Sequence, residues 1–263
     1  MMRSISASVV AMFMLALGAA DFASAQTASK FPMQQPIPEV ARPFLGVWQR
    51  DEPVRGNCGN LIDQNGEPRR NCALPVDQLP LNARALAWIQ FFDEYQAPGY
   101  HCAANTIPTL LGDVRPFRID VKTDAVVINY EHSNLIRYIW TDGRGHPSPY
   151  ELTYQGHSIG HWEGNELVVE STNFTFDPDG MDDHAHIATS VRKKVIERYT
   201  FMPPDHMKIT ITLEDPIFLK RPFTWSHVWK KNNARVFDGW AECDPEVTSR
   251  EVELTYKDKY IDK

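Results

Sequence analysis

Apolar and polar residues alternate in several segments in the second half of the chain, which is the pattern of β-strands that bury one face. The clearest segments are MKITITLE from Met207 and FTWSHVW from Phe223, in which every second residue is apolar, aromatic or histidine. AVVINY and LIRYIW show the same period of two before a tight turn at Asp142. Short strands separated by Asp, Gly and Pro turns predict a mainly β fold, in which an antiparallel meander closes into a barrel.

One segment before these strands has the periodicity of a helix. From Asn82, NARALAWIQFFDEYQAPG places apolar residues at i, i+3, i+4 and i+7 counted from Ala85. Asn82 can cap this helix, and Pro98 ends it. The segment therefore predicts one helix, N-terminal to most of the barrel strands.

The N-terminal residues indicate an exported protein with a single folded domain. Residues 1–25 contain a basic residue, a short apolar run and an Ala-x-Ala cleavage site that ends at Ala25, as in a secretory signal peptide. Residues 26–43 are polar and proline-rich and predict a flexible lead-in. The barrel domain is expected at 44–263, where Gly46 and Trp48 resemble the first-strand G-x-W of lipocalin-like (calycin) barrels. The expected location is the periplasm.

The charge balance restricts the expected partners. The chain carries 27 Lys and Arg residues against 34 Asp and Glu residues, for a formal net charge of -7. This balance disfavours nucleic acid and anionic lipid. No segment after the signal peptide approaches the roughly 20 apolar residues of a membrane-spanning helix. The expected partner is a small-molecule ligand or substrate, and the sequence indicates no particular oligomeric state.

The cysteines favour disulfide bonds over metal or redox chemistry. The chain has 4 cysteines, and an even number in an exported protein is typical of a disulfide framework. No C-x-x-C pair supports a zinc-ribbon or thioredoxin interpretation. Cys58 and Cys72 flank a turn-rich loop that could close on itself, which leaves Cys102 to reach Cys243.

The segment GHSIGHWEG, from Gly156 to Gly164, raises three alternatives: a metal clamp, a catalytic pair or a structural strand. In a strand that turns at Gly164, His157 and His161 share a face with Cα atoms about 13 Å apart, too far to bind one metal ion. A helix would bring them together, but its glycines oppose helix formation by about 1 kcal/mol each. The segment therefore predicts a strand whose histidines either line the barrel or are structural. Gly160 marks a bulge or the close approach of a ligand or backbone.

Several polar and aromatic residues fall on strand faces that are predicted to line the barrel. A histidine on an aromatic face is either hydrogen-bonded or open to a cavity, because an unpaired buried polar group costs about 1–3 kcal/mol. Strand parity predicts that such residues converge as acid, base and anion holder. The candidate catalytic residues are His157, His132, Tyr130 and Arg137. The candidate ligand-binding residues are His227, Trp225, Trp229, His161 and Trp162.

Motifs for bound cofactors do not occur in the sequence. The chain has no G-x-G-x-x-G and no P-loop, so we expect no cofactor. In DDHAH, which begins at Asp182, His184 and His186 could bind a metal from one strand face. Alternatively this segment is a solvated acidic loop, because turn-forming residues precede it. The loop is favoured, and no metal is predicted.

The motifs between Cys102 and Cys243 resemble those of one protein family. RYIWTDGRGHP, GHSIGHWEGNELVVESTNF, IERY, LEDP, RPFTW and ECDPE follow one another in this order. They are similar to a large family of exported bacterial proteins, usually left without a functional name, with D-G-R-x-H-P and G-[HY]-S-x-G-x-W-E-G motifs. The resemblance implies export but no particular reaction. Histidines that precede the E-R-[FY] strand in the family are absent here, where the chain has Ala188, Lys193 and Lys194.

Two classes of function are compatible with these features. The first, favoured by the polar and aromatic residues on barrel-facing positions, is a periplasmic, cofactor-free acid–base enzyme of the lyase, isomerase or hydratase type. It would act on a small apolar or aromatic molecule with His157 as general base. The alternative is a non-catalytic periplasmic binding protein for a small hydrophobic ligand.

Overall fold

The structure, a computed structural model, describes residues 37–51, 76–113, 115–236 and 243–250. All of these residues belong to one compact unit, Gln35–Lys263. The predicted signal peptide, the first part of the predicted lead-in, Cys58 and Cys72 lie outside the described residues.

A closed barrel of nine strands forms the body of the protein, in the order β1-β11-β10-β9-β6-β5-β4-β3-β2. The strands are β1 (Gly46–Arg50), β2 (Phe117–Val121), β3 (Ala125–Tyr130), β4 (Ile136–Trp140), β5 (His157–Glu163), β6 (Glu166–Thr172), β7 (Asp177–Asp182), β8 (Ile187–Thr189), β9 (Lys194–Met202), β10 (His206–Glu214) and β11 (Phe223–Lys231). Strands β7 and β8 pair separately as a hairpin. The prediction of a mainly β fold with a barrel is confirmed.

The barrel departs from a simple antiparallel meander at two places. Strands β4 and β5 run parallel, with Ile139 opposite Ser158, because residues 141–156 carry the chain back before β5 begins. A parallel pair requires such a crossover connection. Strand β6 pairs with β9 instead of its successor, because the β7–β8 hairpin leaves the barrel between them.

Alternating side chains of the barrel strands form its core. Met207, Ile209, Ile211 and Leu213 of β10 are all fully buried, as the period of two predicts. The turn between β5 and β6 lies at Gly164, whose φ of 61° is favourable for glycine. Both strands of the segment GHSIGHWEGNELVVEST therefore form as predicted.

One end of the barrel is filled by aromatic side chains under a 3-10 helix, Glu39–Phe44. The indole Nε1 of Trp48 donates to the carbonyl oxygen of Phe44 at 2.8 Å. The Phe44 ring packs on Trp162 with centroids 5.3 Å apart, and Lys231 Nζ lies 4.9 Å from the Trp48 ring centroid. We call this the closed end, formed by Phe44, Trp48, Trp162, Phe201 and Lys231. The last residues of the predicted lead-in are therefore a structured plug, because Ala41 and Phe44 bury their side chains in the core.

The opposite end is covered by α1 (Ala83–Gln90), α2 (Thr109–Gly112) and the β7–β8 hairpin. Trp88 Nε1 of α1 donates to the carbonyl oxygen of Pro178 at 3.1 Å, and Thr109 Oγ1 of α2 donates to that of Asp179 at 3.0 Å. We call these elements the cap and this end the capped end. Short 3-10 helices occur at Val76–Gln78, Glu94–Gln96, Pro98–His101 and His132–Asn134.

Helix α1 confirms the predicted N-terminal helix. The side chain of Asn82 accepts hydrogen bonds from the backbone N–H groups of Arg84 and Ala85. The helix ends at Gln90, before the predicted stop at Pro98, because Asp93 accepts from the Tyr95 N–H at 3.0 Å and starts a new turn. Within the described ranges, no helix is long and apolar enough to span a membrane.

A disulfide bond joins Cys102, between α1 and α2, to Cys243, after the last barrel strand. The Cα atoms are 5.7 Å apart. This is the second of the two pairings that the sequence indicates.

Candidate functional site

A buried ion pair crosses the interior of the barrel. Arg137 of β4 donates to Glu197 of β9 through Nη1 at 2.9 Å and through Nη2 at 2.6 Å. The remaining guanidinium hydrogen bonds go to the hydroxyls of Ser158 and Ser171, and Tyr199 Oη donates to Glu197 at 2.7 Å. Arg137 is thus inside the barrel, as predicted, but its charge is neutralised by a side chain of the protein.

Two other interior side chains have polar atoms without partners. Tyr130 Oη and Trp229 Nε1 are buried and, within the part of the chain that the structure describes, make no hydrogen bond. Both rings pack against Phe117, with centroid distances of 5.7 Å for Tyr130 and 4.5 Å for Trp229. Burial raises the pKa of Tyr130 to about 12; the neighbouring Arg137 and Tyr199 act in the opposite direction, and the charge of Glu197 adds to the rise. Tyr130 is therefore a neutral hydrogen-bond donor, and we call this group the interior site.

His227 lies inside the barrel wall near the interior site. Its Nδ1 is 2.7 Å from Arg50 Nη2, and its Nε2 accepts from Trp225 Nε1 at 3.2 Å. Burial, and then the charge of Arg50, hold the pKa of His227 well below its ordinary value. The imidazole is therefore neutral. Arg50 also lies 5.5 Å from the Trp229 ring centroid, which connects this group to the interior site.

A carboxylate–imidazole pair lies at the capped end. His132 Nδ1 contacts Asp113 Oδ2, and Arg115 Nη1 lies 3.0 Å from the same oxygen. Burial acts to raise the pKa of Asp113, but His132 and Arg115 together outweigh it and the pKa is lowered. Arg115 Nη1 also lies 3.2 Å from His132 Nδ1, so the imidazole, the carboxylate and the guanidinium form one polar cluster.

His157 and His161 lie on the outer face of the barrel. Ser158 and Trp162 of the same strand point inward, so the predicted convergence of both histidines with the interior residues does not occur. His157 Nδ1 is 3.0 Å from His146 Nδ1, and His161 Nε2 is 2.9 Å from Glu163. Burial lowers the pKa of His157, and the charges of His146 and Arg144 add to the effect.

The ion pair explains why His157 and His161 face outward and not inward as predicted. The guanidinium of Arg137 needs small polar neighbours, which Ser158 and Ser171 provide on adjacent strands. A Cβ at Gly160 would lie 2.7 Å from an Ile139 methyl carbon. Small residues, Ser158 and Gly160, therefore occupy the inward positions of β5 next to the ion pair, Trp162 occupies the inward position at the closed end, and the histidines occupy outward positions.

No family model matches the chain, and no curated protein matches it. A mutant of the fluorescent protein UnaG is among the similar solved structures, with a TM-score of 0.31 and 11% sequence identity. The similarity covers 73% of this chain and 98% of the UnaG chain. A match this weak carries no functional argument, so the function has to be derived from the geometry of the site.

The DDHAH segment forms a turn between β7 and β8. The ligand atoms of Asp182, Asp183 and His184 lie within 4.8 Å of one another. His184 pairs with Asp183 at 2.8 Å, a hydrogen bond that is the main cause of its pKa being raised to about 9. His186 instead lies 3.3 Å from Asp179, so the two histidines do not share one strand face. Asp182 also accepts the His184 and Ala185 N–H groups, a structural role in the turn.

Two short patterns of serine nucleophiles occur in the chain but are not assembled as catalytic sites. GHSIG has the spacing G-x-S-x-G, but its Ser158 lies within β5 and is hydrogen-bonded to Arg137 instead of standing on a strand-to-helix turn. SVRK has the spacing S-x-x-K, but Ser190 donates to Asp215 at 2.8 Å and Lys193 to Thr106 at 2.8 Å. The serine and lysine therefore have separate partners.

Sequence reasoning missed three site residues. Glu197 shares the inward parity of Val195 and Tyr199, so a buried acid in IERY was a usable signal for a partner to Arg137. Asp113 and Thr106 gave no signal, because each meets its partner only through tertiary contact.

Proposed function

We propose that the protein binds a small, uncharged, largely aromatic molecule at the interior site of the barrel. The observation that carries this proposal is the pair of buried donors, Tyr130 Oη and Trp229 Nε1, that have no partner among the described residues. A buried polar group left without a hydrogen bond costs about 1–3 kcal/mol. A ligand acceptor that reaches either donor would recover that cost.

The charges of the interior favour a neutral ligand. Arg137 is neutralised by Glu197, and His227 is held neutral by burial and by Arg50. The flat rings of Phe117, Tyr130 and Trp229 offer stacking or edge contacts to an aromatic ligand. The apparent signal peptide and the Cys102–Cys243 disulfide support a periplasmic location. Membership in the exported bacterial family rests on the motifs quoted above.

Two matched probes test the proposal. 2-Acetylnaphthalene has a carbonyl acceptor, and 2-ethylnaphthalene has nearly the same shape without one. We expect the protein to bind the ketone more tightly, and Tyr130→Phe and Trp229→Phe each to weaken it about fivefold without affecting the hydrocarbon. Trp140→Phe, on the outer face where the indole stacks with Arg144, is the control.

Calorimetry or tryptophan fluorescence gives the dissociation constants. Equal affinity for the two probes in the parent protein, or no binding of either, would overturn the proposal. Unfolding curves for each variant establish that a lost affinity is not lost folding.

A second candidate, acid–base catalysis, is favoured by the pairing of His132 with Asp113. In the tautomer that carries its proton on Nδ1, the carboxylate would prepare Nε2 to accept a proton, so we take His132 as the candidate base instead of the outward-facing His157. This would make the protein a cofactor-free lyase, isomerase or hydratase. Its elementary step is removal of a proton next to a carbonyl group of the bound molecule.

Deuterium exchange tests this step on the same probe. If His132 is a base, the methyl hydrogens of bound 2-acetylnaphthalene exchange with D₂O faster than in buffer, as followed by NMR. His132→Gln should slow the exchange about 10²–10⁴-fold with unchanged affinity, and His157→Phe should leave it unchanged. If the exchange rate with the parent protein equals the rate in buffer, the catalytic candidate is wrong and only the proposed binding function stands.

A further inference from the structure

Lys193, immediately before β9, is buried beneath the cap with only 2% of its surface exposed. Its Nζ lies 4.3 Å from the centroid of the Phe174 ring. Fully buried lysines are rare unless they are paired with an acid. The position therefore requires an explanation.

Lys193 has few partners for its charge. Within the described ranges, Nζ makes one hydrogen bond, to Thr106 Oγ1 at 2.8 Å, and no ion pair. The Thr106 hydroxyl in turn donates to Asp177 Oδ2. Burial lowers the pKa of Lys193 to about 8, although Asp177 and Asp215 act to raise it. The three side chains form a relay along which a proton can pass from the amine to the carboxylate.

Two polar atoms near Asp177 are also without partners in the described part of the chain. Thr189, which lies opposite Asp177 in the β7–β8 hairpin, is fully buried and its Oγ1 makes no hydrogen bond. Tyr154 Oη is likewise unpartnered. Burial, and then the charges of Asp177 and Asp179, raise the pKa of Tyr154 and keep it a neutral phenol. A buried amine, a proton relay and unused hydroxyl groups thus occur in one region.

We propose that Lys193 is the amine of a second, covalent site, where it condenses with a small aldehyde or ketone to form a Schiff base. This site goes beyond the proposed function, since it uses none of the interior-site residues. The ammonium first loses a proton through Thr106 to Asp177. The amine then adds to the carbonyl carbon, and the carbinolamine loses its oxygen as water and leaves a C=N bond. Burial favours the neutral, nucleophilic form of the amine, although the face of the Phe174 ring acts in the opposite direction.

Reductive trapping tests the proposal on the intact, oxidised protein. Benzaldehyde and sodium cyanoborohydride at neutral pH convert any imine to a stable benzylamine, and peptide mass spectrometry locates it. We expect Lys193 to be labelled at least about tenfold faster than Lys194, its half-buried neighbour, because burial lowers the pKa of the Lys193 amine to about 8 and so raises its neutral fraction. The variants Lys193→Arg and Lys194→Arg should lose the label at their own positions only.

Unfolding the parent protein in urea provides a comparison that does not depend on a variant folding. In urea, Lys193 and Lys194 should be labelled at similar rates, so the preference belongs to the folded state. A folded protein in which Lys193 is labelled no faster than Lys194, or not at all, would overturn the proposal. The interior-site binding tests do not depend on either result.

Discussion

The two ends of the barrel bury their polar groups in opposite ways. At the closed end, Trp48 Nε1 and Lys231 Nζ are both hydrogen-bonded to backbone carbonyls of the plug, Phe44 and Pro43. Burial lowers the pKa of Lys193 at the capped end, as it does that of Lys231 at the closed end, but at the capped end Thr189 Oγ1 has no partner among the described residues.

This contrast indicates that the closed end serves stability and the capped end serves function. A satisfied aromatic plug contributes stability through burial and leaves nothing for a ligand to bind. Buried acids, bases and unpaired hydroxyls cost stability, and such costs are typical of functional sites. Substitutions at the closed end are therefore expected to lower stability without changing function. Substitutions at the capped end are expected to change function with little loss of stability.

The largest effect is expected at the closed end. Trp48→Ala should destabilise the protein by about 3–5 kcal/mol, because it removes a fully buried indole from the core. The folded fraction should still bind 2-acetylnaphthalene with unchanged affinity. Urea unfolding and calorimetry measure the two quantities, and a weakened affinity in the folded fraction would extend the binding site to the closed end.

A smaller effect concerns His146 and His157, which are adjacent on the outside of the barrel. Burial lowers the pKa of both, although Glu170 partly opposes this at His146. Below the unfolded value of about 6.5, the unfolded chain binds more protons than the folded protein, so stability falls with falling pH.

Replacing both histidines by phenylalanine removes this contribution. The fall in melting temperature between pH 7 and pH 5 should become shallower by about 2 °C, a modest shift since both rings are partly solvated. His227, whose pKa is also lowered, remains in both proteins. The difference between their pH profiles therefore comes from His146 and His157. Parallel pH profiles would mean that the imidazole contact does not influence stability.

The smallest effect is expected at His161, further along the same strand. Its side chain is 65% exposed and pairs with Glu163 at 2.9 Å. Exposed ion pairs contribute about 0–1 kcal/mol. His161→Ala should therefore change unfolding free energy by less than about 0.5 kcal/mol and leave probe binding unaltered. A clear loss of affinity would mean that His161 contacts the ligand, as the alternating pattern of its strand predicted.

Strand periodicity predicted the barrel and most of its inward faces. Tyr130, Arg137 and Trp229 are inside as expected, because long apolar neighbours of the same parity fix their faces. The predicted inward position of His157 and His161 was wrong, because the inward face of β5 is taken by Ser158 and Gly160 beside the guanidinium of Arg137 and by Trp162 at the closed end. A pattern confined to one strand does not contain that information.

The contacts of the capped end could not be predicted in the same way. Asp113 and His132 are 19 residues apart, and Thr106 and Lys193 are 87 apart. Neither pair shares an element, so no periodicity relates them. They meet because the cap folds over the barrel, and that packing is determined by the tertiary structure.

The disulfide between Cys102 and Cys243 makes the barrel topologically asymmetric. Strands β2 to β11 all lie within the covalent ring that it closes, whereas β1 lies outside it. Yet β1 is the strand that joins β2 to β11 and completes the barrel, through only three register pairs on each side. In the oxidised protein, β1 is thus held in the barrel by its register pairs and by the buried side chain of Trp48, and the covalent ring does not constrain it.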